Sequence, residues 1–152
     1  NLPHARTSFQ RTVMEKIVRD KVCPFCMEHF LKYHTKPIIK KGRYWILTEN
    51  FEPYKGSKHH LLAVTKKHVQ HFEKLSPAAQ AELFKLFEDE VRKRKIRGGA
   101  LFMRFGNTDY TGGTVEHLHA QLVSGGKRGK GKKPLITYLG YSEKKIVTAS
   151  RK

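Results

Sequence analysis

The run His117-Leu-His119-Ala-Gln121 constrains the fold of this 152-residue chain more than any other feature. Polar and apolar residues alternate in it, and a period of two is typical of a β-strand, whose successive side chains point to opposite faces. The two histidines and the glutamine therefore share one face, while the leucine and the alanine face a core. A lone histidine is more often a surface or satisfied core residue, but three polar side chains in a row are costly to bury unless they serve a site. The run predicts a strand from Val115 to Val123 with a functional site on one face.

The rest of the chain predicts an α+β fold, in which an antiparallel sheet packs against one long and one short helix. The short helix covers Ser8 to about Lys21, where apolar residues recur at helical spacing. The long helix begins at Ser76-Pro77, because serine caps a helix and proline suits its first position. Runs rich in aromatic and β-branched residues predict strands at 43–48, 60–65 and 100–105, and residues 135–141 are the candidate for a last strand.

Charge is the unusual feature of the composition: 31 Lys and Arg against 13 Asp and Glu give a net charge of +18. Such a field attracts polyanions, so nucleotides, nucleic acid and ribosomes are candidate partners, although the same charge also serves solubility. The basic, glycine-rich residues 125–134 are too polar to pack, and we expect a mobile loop there. No apolar run approaches the roughly 20 residues that span a bilayer, and residues 1–6 lack the apolar core of a secretory signal. We therefore expect a cytoplasmic protein with no membrane partner.

Together, the signature run, the upstream run His60-Leu-Leu-Ala-Val-Thr-Lys-Lys-His68 and Ser76-Pro77 resemble the histidine triad (HIT) superfamily over residues 22–124. The length fits one domain, residues 1–152, and the resemblance implies that this domain has a HIT-like fold. It also implies chemistry on the α-phosphate of a nucleotide substrate, and it favours a homodimer, because many relatives pair.

Gln121 stands where the small hydrolases of this superfamily usually have a third histidine. The His-x-His-x-Gln pattern is similar to galactose-1-phosphate uridylyltransferase and to the diadenosine tetraphosphate phosphorylases. The similarity implies that His119 forms a covalent nucleotidyl-histidine and that Gln121 donates a hydrogen bond to the phosphoryl oxygens. His60 is implied to support the catalytic histidines. Such an enzyme acts on dinucleoside polyphosphates or nucleotide sugars.

Glutamine chemistry agrees with this division of roles. The glutamine amide donates to a developing oxyanion without titrating, whereas a third histidine would add a group that titrates near neutrality. Its absence favours an acceptor with its own nucleophile, such as phosphate or a sugar phosphate. Two alternatives stay open: a hydrolase of the same superfamily that uses water, and a nucleic-acid-binding or ribosome-associated protein that keeps the fold.

Cys23 and Cys26 have the spacing of a zinc knuckle, which supplies two of the four ligands of a closed structural site. The resemblance to the uridylyltransferases implies that His68 and His117 supply the other two. The expected cofactor is therefore a structural zinc ion that joins the knuckle to the catalytic strand. A redox pair and two buried thiols are the competing interpretations, but the redox pair lacks its expected βαβ setting.

The polar loop before the signature run is the candidate nucleotide pocket. The resemblance places Asn107 near the phosphate, and backbone N–H groups and the hydroxyl around Gly113 and Thr114 are suited to phosphate oxygens. Asn50 and Glu52 lie where relatives have a ribose-binding residue. Two aromatic residues, Phe25 and Phe51, are candidates for base stacking or for ordinary core packing. Four histidines without a role are expected at the surface: His29, His34, His59 and His71.

Overall fold

A computed structural model describes residues 7–144, in which five strands form one antiparallel sheet. The strands are β1 (Ile38–Lys41), β2 (Trp45–Glu49), β3 (His59–Thr65), β4 (Ala100–Arg104) and β5 (His119–Ser124). Their order across the sheet is β1-β2-β3-β5-β4. The helices are α1 (Ser8–Asp20), α2 (Met27–Tyr33) and α3 (Pro77–Lys93). The predicted α+β class with an antiparallel sheet is confirmed.

One face of the sheet is covered by α3. Ser76 caps this helix by accepting a hydrogen bond from the Ala79 N–H group at 3.2 Å. The Trp45 indole of β2 donates to the Ala79 carbonyl at 2.7 Å, and the Glu82 carboxylate accepts from the Trp45 N–H group at 3.0 Å. Apolar side chains of β2, β3, β5 and α3 form the core between them: Trp45, Leu47, Leu61, Ala63, Leu83, Leu86, Phe87, Leu118, Ala120 and Leu122.

The opposite face is covered by the segment 22–34 and by α1. Phe25 and Phe30 pack with Leu62 and Val64 of β3, whose side chains alternate with those that face α3. Met14 and Ile17 of α1 form a further small cluster on this side. The functional residues share this second face, because the alternation in β5 sends Leu118 and Ala120 towards α3 and leaves the histidines on the other side.

Several predicted boundaries need correction. Helix α2 and the edge strand β1 were not predicted, because α2 is only seven residues long and the four residues of β1 have no alternating burial. The strand predicted from Val115 begins only at His119, because the Leu118 N–H group donates to the Val69 carbonyl at 2.7 Å instead of to a strand neighbour.

The C-terminal part of the described chain has no strand. Residues 135–141, the candidate last strand, belong to no helix or strand, and Arg104 of β4 donates hydrogen bonds to Thr137 and Tyr138 among them. The basic residues 125–134 are exposed and belong to no helix or strand. Residues 1–6, which were expected to lack a secretory signal, lie outside the described part. None of the described helices is both long and apolar enough to cross a membrane.

His34 is buried, and its predicted place at the surface is wrong. Only 6% of the residue is exposed. Its Nε2 lies 2.8 Å from the Thr48 hydroxyl, and its ring stacks on Phe30 with centroids 4.7 Å apart. Because the Thr48 hydroxyl donates to the Pro37 carbonyl at 2.9 Å, it accepts from His34. A polar strand residue on the second face thus gives this histidine a partner.

Candidate functional site

His119 lies in the middle of the sheet. In β5 it is opposite Val64 of β3 on one side and Arg104 of β4 on the other. Residues directly opposite each other in an antiparallel pair share a face, so the Arg104 side chain emerges beside that of His119. Gln121, two residues along, has the same orientation, and both side chains are buried. The sheet thus brings an imidazole, an amide and a guanidinium group together.

The His119 tautomer is fixed by the backbone. Its Nδ1 lies 2.8 Å from the carbonyl oxygen of His117, which can only accept, so Nδ1 carries the proton. The lone pair is therefore on Nε2. Burial lowers the pKa of His119 to about 4, and the nearby Arg104 and His60 lower it too, against the raising effect of the bond to the carbonyl. At neutral pH the ring is uncharged and nucleophilic at Nε2.

The Gln121 amide is oriented by His60. The Tyr54 N–H group donates to His60 Nδ1 at 3.1 Å, so the proton of this ring is on Nε2. His60 Nε2 then donates to Gln121 Oε1 at 2.7 Å. With its oxygen engaged, the Gln121 amide presents its NH₂ end as the group available to a phosphate oxygen. The Tyr54 ring stacks on His60 at 4.6 Å and holds this arrangement in place.

A separate cluster lies two residues from His119. Cys23 Sγ is 3.4 Å from His117 Nδ1, and Cys26 Sγ is 3.3 Å from His68 Nδ1. The ligand atoms of all four residues lie within 4.8 Å of one another. For zinc with Zn–S and Zn–N bonds of about 2.3 and 2.0 Å, the edges of a tetrahedron between sulfur and nitrogen are about 3.5 Å long. The two shortest sulfur–nitrogen distances match this edge, so the four side chains could hold a metal ion after small shifts.

The His117 ring has the tautomer that a metal ligand needs. His117 Nε2 donates to the Thr65 carbonyl at 2.7 Å, which leaves the Nδ1 lone pair directed at the cysteines. Metal-binding histidines are usually oriented in this way. Burial and the neighbouring Cys23 raise the pKa of Cys26 to about 11. Redox-active Cys-x-x-Cys pairs have a lowered thiol pKa, so the cluster differs from them in the direction of the shift.

The cavity beside His119 and Gln121 is closed by several segments and has a volume of about 70 Å³. It is lined by side chains of α1 and α2, by the loop after β2 and by residues 112–115 and 137–138. Phe25 stands edge-on to His119 with ring centroids 5.1 Å apart, and Phe51 stands edge-on to His34 at 6.1 Å. Both aromatic residues line the cavity, and Phe25 also belongs to the apolar cluster with Phe30 and Leu62.

The residues predicted for the nucleotide pocket divide into two groups. Asn50, Gly113 and Thr114 line the cavity. Glu52 and Asn107 are not among its lining residues. The Asn107 side chain is instead the cap of a short 3₁₀ turn, where it accepts from the Asp109 N–H group at 2.8 Å.

Arg104, Tyr54 and His34 are among the cavity residues that were not predicted from the sequence. The signal for Arg104 was an arginine inside the otherwise apolar run of β4. Tyr54 had no signal, because it follows Pro53 in an irregular loop, and only the fold brings it to His60. Contacts between distant residues of this kind are not encoded in local periodicity.

The model of the HIT domain matches residues 33–128. The chain belongs to the HIT family. The matched residues include β2, β3, α3, β4 and β5, and with them His119 and Gln121. Comparison with curated proteins gave no match.

Three solved structures show how widely this HIT fold is shared. A histidine triad nucleotide-binding protein from Candida albicans is 14% identical, with a TM-score of 0.57 over 76% of this chain and 86% of that one. A Zn-bound histidine triad family protein from Mycobacterium smegmatis is 19% identical, with a TM-score of 0.54 over 80% and 85%. A HIT family hydrolase from Clostridium thermocellum is 21% identical, with a TM-score of 0.53 over 70% and 93%.

Proposed function

We propose that this HIT protein is a nucleotidyltransferase or phosphorylase that works through a covalent nucleotidyl-His119. The observation that carries the proposal is the fixed tautomer, in which Nδ1 donates to the His117 carbonyl and the Nε2 lone pair stays available. Nε2 attacks the α-phosphorus and forms an N–P bond, while the bond from phosphorus to the leaving oxygen breaks and its electron pair leaves with that oxygen. An acceptor then attacks phosphorus, and the N–P electron pair returns to Nε2.

Gln121 carries the assignment to the branch similar to galactose-1-phosphate uridylyltransferase and the diadenosine tetraphosphate phosphorylases. Its NH₂ end, oriented by His60, donates to the phosphoryl oxygens as negative charge develops on them. It supplies no titrating group for water activation, which favours phosphate or a sugar phosphate as acceptor. The hydrolase reaction uses the same His119 with water, and the solved HIT hydrolase of the same fold supports that second acceptor.

We also propose that Cys23, Cys26, His68 and His117 bind a structural zinc ion. The spacing of their ligand atoms supports this, and the M. smegmatis protein of the same fold binds zinc. A bound zinc ion supplies a rigid cross-link. His117, held as one of its ligands, would then keep in place the backbone carbonyl to which His119 donates, so the cluster would support the nucleophile.

Acceptor dependence tests the proposed reaction. Labelled dinucleoside polyphosphates and nucleotide sugars are incubated with the protein, alone and with phosphate or a sugar phosphate, and then with the variant H119N. We expect an acid-labile label on the wild-type chain only, and product release that accelerates at least tenfold when an acceptor is added. Turnover at the same rate in water alone assigns the hydrolase. No label with any substrate contradicts the covalent route.

A second candidate function, nucleic-acid binding, is supported by an open basic cleft at the other end of β5. It is lined by His59 and by five cationic side chains, which are Lys58, Arg94, Lys95, Arg97 and Lys127. Burial lowers the pKa of His59, and the positive charges of Arg94 and Lys58 lower it further, against the raising effect of Glu49. Polyanion binding there weakens steeply with salt.

Fluorescence anisotropy with a labelled single-stranded oligonucleotide tests this candidate. The five cations of the neighbouring loop are neutralised together: Lys127, Arg128, Lys130, Lys132 and Lys133. We expect weaker binding and a shallower dependence of affinity on salt, because a complex with fewer phosphate contacts releases fewer counterions. An unchanged affinity removes the loop from the contact surface.

A further inference from the structure

We infer that Arg104 binds the phosphate oxygens of the leaving group, beyond the α-phosphate that His119 attacks. The inference rests on the proposed function and specifies its substrate: a nucleotide whose α-phosphate is joined to at least one further phosphate. It makes Arg104 a catalytic residue, because the guanidinium group contacts substrate atoms whose charge rises as the bond to phosphorus breaks.

The register of the sheet places Arg104 at the nucleophile. Arg104 is the cross-strand partner of His119, and side chains of such partners have Cβ atoms roughly 5 Å apart. On its other side His119 faces Val64, which is apolar and buried. Gln121 lies two residues along β5. Consider a phosphate chain whose α-phosphorus lies at His119 and whose α-phosphate oxygens contact Gln121. The next phosphate of that chain then lies on the β4 side, next to Arg104.

Charge singles out the same residue. Among the described residues that line the cavity, Arg104 is the one lysine or arginine. The remaining polar lining groups are amides, hydroxyls, imidazoles and backbone groups. A leaving diphosphate or longer chain carries at least two negative charges, and a guanidinium group binds phosphate oxygens through paired, charge-assisted hydrogen bonds. The cavity has no other side chain in the described range that supplies this.

Arg104 donates mainly to oxygen acceptors of the C-terminal strap, by which we mean residues 135–141, and also to the Tyr54 hydroxyl at 3.5 Å. Arg104 Nε donates to the Tyr138 carbonyl oxygen at 3.0 Å, and Nη2 donates to the same oxygen. Nη2 also donates to the Thr137 hydroxyl at 2.9 Å. Two adjacent N–H groups that converge on oxygen acceptors have the geometry with which arginine binds phosphate. The strap oxygens thus stand where phosphate oxygens would bind.

The small size of the cavity implies that these bonds are exchanged when substrate binds. Small-molecule sites usually enclose about 300 Å³ or more, whereas this cavity holds about 70 Å³. The strap packs directly on the backbone of the loop before β5: a side chain at Gly112 would lie 2.4 Å from the Tyr138 Cβ atom. Withdrawal of the strap enlarges the cavity and frees the Arg104 donors in the same movement.

The test compares two leaving groups on the same nucleoside 5′-phosphate: a polyphosphate, in a dinucleoside tetraphosphate, and 4-nitrophenolate, which has no phosphate oxygens. For R104Q we expect kcat/KM to fall about 100- to 1,000-fold with the polyphosphate, the range for removal of one donor to developing charge. With the 4-nitrophenyl ester we expect a change of less than threefold, which also shows that the variant folds. R104K keeps the charge but loses the paired donors, and we expect an intermediate loss. The matched control is R92Q, which removes an exposed arginine of α3 that pairs with Glu88.

An equal loss with both leaving groups, or no loss with the polyphosphate, overturns the assignment of Arg104. A second measurement separates this from a failure of the proposed function. Calorimetry with inorganic tripolyphosphate reports the phosphate site without any reaction, and we expect R104Q to bind it at least tenfold more weakly than the wild-type chain. If wild-type protein never becomes labelled but this difference is found, covalent catalysis fails and the phosphate site stands. If label forms and the difference is absent, the Arg104 inference fails alone.

Discussion

The two faces of the central sheet are built from the same strands but are stabilised in different ways. On the face covered by α3, Leu118 and Ala120 belong to a continuous apolar core. On the other face, alternate residues of the same chain segment are His117, His119 and Gln121, all buried. The first face needs only apolar burial. The second face buries polar groups, which is costly unless each finds a partner.

The partners on the second face come from distant parts of the sequence. His60 is hydrogen-bonded to Gln121, the Thr65 carbonyl to His117, and the Thr48 hydroxyl to His34. One strand can therefore contribute to an apolar core on one face and to a reactive site on the other. This requires that neighbouring strands and the segment with Cys23 and Cys26 supply partners for its buried polar side chains. Four changes test this difference, and they follow in order of expected effect.

Loss of the Cys-His cluster has the largest expected effect. Replacing Cys23 by alanine removes one of four ligands, and because metal binding contributes directly to folding, we expect the free energy of unfolding to fall by more than about 4 kcal/mol. Denaturant unfolding with and without a chelator measures it. The chelator should destabilise the wild-type chain and leave C23A unchanged; a wild-type chain indifferent to chelation would falsify the metal assignment.

A substitution that creates a cavity in the core on the α3 face should be nearly as destabilising but should leave kcat unchanged. Leu86 is 2% exposed in the core of that face. Leu86→Ala should lower the free energy of unfolding by about 2–5 kcal/mol. Because this side chain lies on the far side of the sheet, kcat per folded molecule should stay within twofold, as measured by active-site titration. A large drop in kcat would show that the two faces are coupled.

Loss of stability at acid pH should come from the buried histidines of the second face. Burial, with a smaller contribution from Lys36, lowers the pKa of His34 from 6.5 to about 4. The unfolded chain therefore takes up a proton between pH 6.5 and 4 that the folded chain does not, so stability is full above pH 6.5 and falls as the pH drops. The loss amounts to about 3 kcal/mol at most. His34→Gln should remove this contribution, as seen in unfolding curves of both chains at each pH, while the similar contribution of buried His119, whose pKa is also lowered to about 4, should remain.

The cap of α3 has the smallest expected effect. Ser76→Ala removes the acceptor for the Ala79 N–H group and should lower the free energy of unfolding by about 1 kcal/mol. Ser76→Gly keeps the cap conformation accessible, so it should lower the free energy of unfolding by only a few tenths of about 1 kcal/mol. Neither variant should change kcat or the response to a chelator. A change in kcat or in the response to a chelator would contradict the separation between α3 and the site.

How much was predictable from the sequence differs between the two faces. The strand periodicity of β5, the cap at Ser76 and the apolar stripe of α3 are local patterns, and they led to the α+β class with the correct long helix. The resemblance to the HIT family placed Cys23 and Cys26 with His68 and His117, and the structure brings these four together.

Features that depend on the packing of distant segments were not predictable. The burial of His34 depends on Thr48 and on a seven-residue helix too short for a clear periodic signal. Arg104 becomes relevant only through the register of β4 on β5, and the strap only through its hydrogen bonds to that arginine. Local patterns contain neither register nor tertiary contacts, and for this reason a last strand was predicted where a strap lies.

The central claim is that His119 Nε2 forms the bond to phosphorus, and peptide mapping tests it most directly. The protein is quenched at alkaline pH within one turnover of a dinucleoside polyphosphate and digested, and the mass of the peptide that contains His117, His119 and Gln121 is measured. The account predicts a nucleotidyl adduct whose fragment ions place it on His119. An adduct on His117 or His60, or an unmodified peptide while turnover proceeds, would contradict it.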